Sequence, residues 1–93
     1  MTFQEAEGLT LIVEESAATG LETMFRCRMI TLEVHSSLDA VGFLAHLLPK
    51  LAEATMGVNP VSAFFHDHLF VPEDRAEDAL AILKAVAAEA ATA

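Results

Sequence analysis

The stretch 30–42, ITLEVHSSLDAVG, joins the two periodic segments from which the fold follows. Ile30, Leu32 and Val34 alternate with polar residues, which is typical of a strand with one buried face. Serine and aspartate follow, and both commonly cap the start of a helix. Over residues 40–54 apolar side chains then recur at spacings of three and four. The stretch therefore predicts a strand that leads through a short polar loop into a helix.

The C-terminal half is predicted to form two strands followed by a helix. Residues 58–66 alternate as a strand, the chain is expected to reverse near Asp67, and residues 68–71 return as the second strand of a tight hairpin. Pro60 has no N–H group, so it must lie on a sheet edge or at the beginning of its strand. Pro72 and the two acidic residues after it suit the N-terminus of a last helix.

A further strand is predicted over residues 9–13, where an apolar run follows Gly8. We expect it to pair with residues 3–4 through a turn over residues 5–8. The order strand, strand, helix, strand, strand, helix predicts an α+β two-layer sandwich, with both helices on one face of an antiparallel sheet. The other face would be bare, and self-association is the simplest way to cover it. Phe64 is a candidate for that surface.

Composition and charge exclude several classes of protein. The chain has 93 residues, 54% of them hydrophobic and 20% charged, which predicts one small folded domain. A formal net charge of −9 argues against a protein that binds nucleic acid or anionic membranes. The one cysteine, Cys27, excludes an internal disulfide and a CxxC motif, and we expect it to be a small buried hydrophobe. No run is apolar enough to span a membrane and no secretory signal is present, so we expect a cytoplasmic protein.

The junction between strand and helix is the first candidate site. The first N–H groups of a helix lack partners within it, and the helix dipole favours an anion there. Ser36, Ser37 and Asp39 add polar side chains, and Gly42 lets another group approach the backbone. A carboxylate on the N–H groups, with an ammonium on Asp39, would form an amino-acid site. The alternative is that Ser37 or Asp39 simply caps the helix.

The second candidate is the sequence His66-Asp67-His68. Two histidines one residue apart on a strand share a face and could begin a metal site. The alternative is that Asp67 makes the turn and the histidines flank it. We expect the acidic residues 73–78 to stabilise a helix dipole and not to act as paired catalytic carboxylates. The chain carries none of the common nucleophile, phosphate-loop or zinc motifs, so we expect no catalytic residues and no cofactor.

The stretch from Ile30 to Val86 resembles an ACT domain. Residues 30–34 look like the first strand of that family, and residues 41–44 stand where the family often has Pro-Gly followed by apolar residues. The stretches that look like its hairpin strands are 61–64 and 68–72. Three stretches are also similar to small bacterial proteins that consist of an ACT domain and have no assigned function: 3–11, 34–42 and 66–72.

The resemblance implies a ferredoxin-like ACT-type two-layer sandwich, with one domain over residues 1–93 and its ACT core at about residues 29–90. In it the strand at about residues 9–14 would complete the sheet. ACT domains are mostly regulatory modules that bind an amino acid or a similar small molecule between paired domains. Carried over, the ligand-binding residues of one domain would be Ser36, Ser37, Asp39, Val41, Gly42 and Phe43. Those of its partner would be Asn59 and Val61.

The function expected from the resemblance is a non-enzymatic regulatory module. It would sense an amino acid or similar small zwitterion at a subunit interface, as a homodimer or larger oligomer. One alternative is a structural protein–protein interaction domain without a ligand, and another is a metal-binding protein that uses His66 and His68. The sequence departs from the family at Pro60 and at Thr55-Met56, which replaces a glycine-containing turn. It begins at Met1 where similar proteins have more chain, so we expect a second subunit to take the packing role of that segment.

Overall fold

The computed structural model of the chain describes residues 1–32 and 40–92. Within these ranges the strands are β1 (Thr2–Gln4), β2 (Leu9–Leu11), β3 (Cys27–Leu32), β4 (Asn59–Ser62) and β5 (Asp67–Pro72). The α-helices there are α1 (Ala40–Glu53) and α2 (Ala76–Thr92), and short 3₁₀ turns occupy Glu15–Ala17 and Glu73–Arg75. Antiparallel strands with two helices confirm the α+β fold class that the sequence predicts.

A three-stranded antiparallel sheet forms the centre of the fold, in the order β3-β5-β4. Its register places Leu69 of β5 between Ile30 of β3 and Pro60 of β4. Because side chains alternate along a strand, Leu69 and Val71 point to one face and His68 points to the other. Leu69 and Val71 are completely buried, whereas His68 is half-buried. The helices therefore cover the face that carries Leu69 and Val71.

The core lies between this sheet face and one side of each helix. In α1 the buried residues Leu47 and Leu51 are four apart, and in α2 Ala79 and Val86 are seven apart, so each pair lies on one helix face. α1 continues through Pro49, which lies on its exposed side. The buried residues among those described are all apolar: Leu32, Leu47, Leu51, Met56, Leu69, Val71, Ala79 and Val86.

The C-terminal end of α1 is a backbone turn that usually contains glycine. The N–H of Thr55 donates to the carbonyl of Ala52 at 2.9 Å, and the N–H of Met56 donates to the carbonyl of Leu51 at 3.2 Å. These two bonds define a Schellman motif, in which the residue after the helix takes the left-handed conformation. That residue is Thr55, with a φ of 58°. A β-branched side chain is strained in this conformation. The packing of the buried Leu51 and Met56, on either side of Thr55 in the sequence, offsets that strain and stabilises the turn.

We expect Thr55→Gly to stabilise the protein by about 1 kcal/mol, because glycine adopts positive φ without the steric cost of a Cβ. For a domain of this size the melting temperature, followed by circular dichroism, should rise by about 4–8 °C. The matched control is Thr23→Gly, at an exposed loop threonine without positive φ. A fall in melting temperature for Thr55→Gly as large as that of the control would contradict the strain at Thr55.

The β4–β5 hairpin reverses at Phe64 and Phe65, so the predicted reversal near Asp67 is wrong. The N–H of Ala63 donates to the carbonyl of His66 at 3.0 Å and closes a two-residue loop. Aspartate is a common turn residue and phenylalanine a common strand residue, which is why the pattern misled. Asp67 instead begins β5, which gains hydrogen bonds from a strand on each side. Phe64 is 94% exposed, but at the tip of the hairpin and not on the bare sheet face where it was expected.

Pro60 lies on an edge strand, in agreement with the prediction. Hydrogen bonding alternates along β4 from the bond between Ala63 and His66, so Asn59 and Val61 direct their N–H and C=O groups towards β5. The nitrogen of Pro60 therefore faces away from the sheet, where its missing hydrogen costs no bond.

The N-terminal strand is present, but it does not complete the three-stranded sheet. β1 and β2 pair as predicted, with Phe3 opposite Thr10, and they form a two-stranded sheet of their own. Reciprocal backbone bonds of 2.8 and 3.3 Å between Glu5 and Gly8 close the turn, at which Gly8 has a φ of 153°. Pairing β2 with β1 closes only the short turn over residues 5–8 and costs little chain entropy, so this hairpin forms without β3. The expectation for residues 9–14 is thus not met in this structure.

Candidate functional site

The predicted ligand site is centred on the N-terminus of α1. Three of its residues lie outside the described part of the chain: Ser36, Ser37 and Asp39. Three more belong to the first turn of α1: Val41, Gly42 and Phe43. The first turn of a 14-residue helix offers N–H groups without helical partners and the positive end of the helix dipole. This end of α1 can therefore hold a carboxylate.

Asn59 and Val61, the other half of the predicted site, lie on the sheet face opposite the helices. The predicted loop starts after Leu32, the last residue of β3, which lies level with Asp67 of β5 and with Ser62 of β4. Asn59 is three residues further along β4. Two strand spacings and three residue rises thus separate Asn59 from Leu32, about 10 Å in each direction. Asn59 and Val61 therefore lie across the sheet from the end of β3 and point away from the face that the helices cover.

The uncovered sheet face carries a polar pair. The hydroxyl of Thr31 and Nδ1 of His68 are 3.0 Å apart, and Val61 lies opposite His68 on the other side. The ring centroids of His66 and His68 are 6.5 Å apart, so these histidines are neighbours. Among residues 1–32 and 40–92, no group of three His, Cys, Asp or Glu side chains is placed to hold a metal ion. The metal hypothesis therefore finds no third ligand within these ranges.

An apolar groove of about 290 Å³, which the sequence analysis did not predict, lies where β3 meets both helices. Its lining residues are Ile30, Thr31, Leu32, His46, Leu47, Leu80, Leu83, Lys84, Val86 and Ala87. The side chain of Thr31 belongs to the opposite sheet face, so its place in the lining puts the groove at the outer edge of β3. One feature of the sequence points to this groove. Leu80 and Leu83 widen the apolar stripe of α2, and Leu80 stays exposed beside the three-stranded sheet.

The comparisons with known proteins concern this same region. A model of the ACT domain family matches residues 24–85, a range that holds β3, α1, the β4–β5 hairpin and the first part of α2. The chain belongs to the ACT domain family. This confirms the resemblance found in the sequence, and ACT domains are typically regulatory modules that bind small ligands.

This ACT domain is also similar to a solved structure. The crystal structure is that of a protein of unknown function from Vibrio cholerae, described as a possible transport protein. The two are 44% identical with a TM-score of 0.78, and the match covers 89% of this chain. The chain spans 65% of that protein's length. No curated protein matches the chain. Within the described ranges, neither helix combines the length and the apolar character needed to cross a bilayer.

Proposed function

We propose that this ACT domain is a non-enzymatic regulatory module that senses an amino acid or similar small zwitterion at a subunit interface. Its working form would be a homodimer or larger oligomer in the cytoplasm. The observation that carries the proposal is the position of α1, which begins at Ala40, directly after Asp39 in the sequence. The N-terminus of a helix favours a carboxylate, and an aspartate beside it favours an ammonium. A zwitterion carries both groups a few bonds apart.

The position of Asn59 and Val61 supports the subunit interface. They belong to the strand furthest from β3, on the sheet face that neither described helix covers. A second copy laid against this face would bring these side chains towards a ligand held at the N-terminus of α1. Ligand binding would then favour one arrangement of the two subunits over another, which is how a domain without catalytic groups can regulate a partner.

Thermal unfolding of the purified protein against each of the twenty amino acids at millimolar concentration tests this proposal. A ligand at 100 times its dissociation constant stabilises the folded state by about 2.7 kcal/mol. The melting temperature should then rise by about 10 °C or more for one or two amino acids. The test variant is Asp39→Asn, because asparagine caps a helix as well as aspartate does but has no charge for an ammonium. It should lose the ligand-dependent shift and keep the melting temperature of the free protein.

The matched control is Asp74→Asn, which removes an exposed carboxylate next to the other helix. It should respond to the same amino acids as the unchanged protein. The absence of a shift with all twenty amino acids would contradict the proposal. It would favour the alternative of an interaction domain without a ligand, for which the exposed Phe64 and Phe65 are the supporting observation.

A further inference from the structure

The outer edge of β3 has unused backbone hydrogen-bonding groups. The N–H of Glu73 donates to the carbonyl of Arg26 at 3.0 Å, and this bond continues the register between β3 and β5. Because bonding alternates in an antiparallel pair, Cys27, Met29 and Thr31 direct their N–H and C=O groups away from β5. Within the described residues no strand pairs with this edge. The edge is therefore a place where another strand can add.

The apolar groove lies beside the same edge. Ile30 and Leu32 form its strand side, and Leu80 and Leu83 of α2 form part of its helix side. A strand added to β3 would place every second side chain into this groove and under the helices. The edge and the groove together thus fit a strand whose alternate residues are apolar.

The β1–β2 hairpin, which we call the arm, carries such a strand. Leu9 is 55% exposed, Leu11 45% and Val13 44%, and their alternation places them on one face. The bond from the N–H of Ile12 to the carbonyl of Met1 directs the backbone groups of Leu9 and Leu11 to the free side of β2. A two-stranded hairpin is marginally stable by itself in water, so these exposed apolar residues need a partner surface.

We propose that the arm of one copy of this chain adds β2, parallel to β3, to the β3 edge of a second copy and places Leu9, Leu11 and Val13 in its apolar groove. The pairing must be parallel, because in an antiparallel pair Leu9 and Leu11 would stand directly opposite residues such as Met29 and point to the sheet face away from the helices. The second copy would return its own arm to the first. Such an exchange is two-fold symmetric and closes at two subunits. It extends each sheet from three strands to five, β1 and β2 from one copy and β3, β5 and β4 from the other.

The connector between β2 and β3 favours a second copy over the arm's own chain. Backbone bonds from Ala17 to Glu14 and from Ala18 to Glu15 form a 3₁₀ turn after the arm. The Glu15 carboxylate also pairs with Arg26, immediately before β3. With the connector in this conformation, no residue of the arm is among the described residues that line the groove of its own chain.

The charges of the arm and of the groove also favour the arm of a second copy as the strand that enters the groove. The segment 9–13, LTLIV, contains no charged residue, although the chain as a whole has a net charge of −9. Acidic residues flank it at Glu7 and Glu14. The polar side chains of the groove include Lys84 and His46, so the groove offers positive or neutral groups to the acidic flanks of the arm. Exchange would therefore bury the uncharged part of the arm in a groove that carries no carboxylate among its described lining residues.

The inference goes beyond the proposed function, because it assigns a contact between copies at the β3 edge, separate from the sheet face that carries Asn59 and Val61. It is tested by the molar mass in solution, from size-exclusion chromatography with light scattering. The unchanged protein should have about twice the chain mass of 10.0 kDa. Leu11→Glu in the arm and Ala87→Glu in the groove should each halve the measured mass, since a carboxylate would enter an apolar contact.

Matched controls are available for both variants. Ala88→Glu places the same charge one residue along α2, outside the groove, and Leu21→Glu replaces an exposed leucine outside the arm. Both controls should stay dimeric. Circular dichroism should show the helical signal of the unchanged protein in all four variants, because each substituted side chain is exposed. A monomeric unchanged protein, or halving of the mass by the controls as well, would overturn the inference.

A mixing experiment separates exchange between copies from closure of the arm on its own chain. In a Cys27→Ser background, one protein carries Leu11→Cys and the other carries Ala87→Cys. Oxidation of the mixture should give a disulfide-linked heterodimer, seen as a band of twice the chain mass without reductant. If the doubly substituted chain forms only an internal disulfide and the mixture gives no heterodimer, the arm closes on its own chain. Failure of the ligand test does not affect this result, since no amino acid is added here.

Discussion

An Ala79→Glu chain is expected to lose about 5–7 kcal/mol of stability at pH 7. Ala79 is completely buried in α2 and belongs to the apolar cluster beneath the sheet. A carboxylate at this position must either lose its hydration or take up a proton, and neutralising it at pH 7 costs about 4 kcal/mol. The larger side chain adds about 1–3 kcal/mol by overpacking. A domain of this length has only about 5–14 kcal/mol of stability, so the melting temperature should fall by at least ~20 °C.

Two further variants identify the cause of this loss. Ala79→Gln has the size of glutamate without its charge and should be destabilised by a smaller amount. Ala81→Glu introduces the same carboxylate two residues along α2, at an exposed position, and should change the stability by less than about 0.5 kcal/mol. Thermal unfolding of the three proteins under identical conditions measures these differences in stability. Equal losses for Ala79→Glu and Ala81→Glu would mean that α2 does not bury this face.

Leu69→Ala should give the second large effect, a loss of about 2–5 kcal/mol. Leu69 is completely buried at the centre of β5, between Ile30 and Pro60 on the neighbouring strands. Strands on both sides hold its backbone in place, so the structure can collapse only partly into the cavity that alanine leaves. The midpoint of urea unfolding should therefore fall sharply, with little change in the slope of the transition.

Phe64→Ala is the matched control for Leu69→Ala. It removes a larger side chain, but that side chain is 94% exposed at the tip of the β4–β5 hairpin. The expected change in the free energy of unfolding is below about 0.5 kcal/mol. If Phe64→Ala destabilised the chain as much as Leu69→Ala, the tip of the hairpin would have to be covered in solution, which would contradict the exposure described above.

The strongly periodic segments could be predicted from the sequence because their pattern reflects one buried side. Alternation through Leu32 predicted β3. The spacing of Leu44, Leu48 and Leu51 predicted α1 over residues 40–54, and the helix is found over Ala40–Glu53. Family membership was also accessible, because the polar loop and the hairpin residues are specific to ACT domains. These features depend on local sequence, where side-chain period and secondary structure are directly linked.

The features that the sequence did not predict depend on which segments meet in space. The apolar run at Leu9–Leu11 predicted a strand, but alternation does not say which edge a strand will join. The turn at Phe64 and Phe65 was missed because position within the sheet outweighed residue preference. The groove needs three elements at once, so no single stretch shows it. Asp39 and the serines before it lie outside the described residues, and their role stays a prediction.

Pro60 has a consequence for the behaviour of the protein at high concentration. Fibril growth requires a sheet that can accept a new chain at each edge in turn. The middle of β4 offers no donor on its outward side, and the pyrrolidine ring stands where an incoming strand would lie. The opposite edge is the one that we assign to the arm of the second copy. Pro60 therefore disfavours addition of a further copy at the β4 edge, and in the proposed pair the other end of each sheet would be β1, a strand of only three residues.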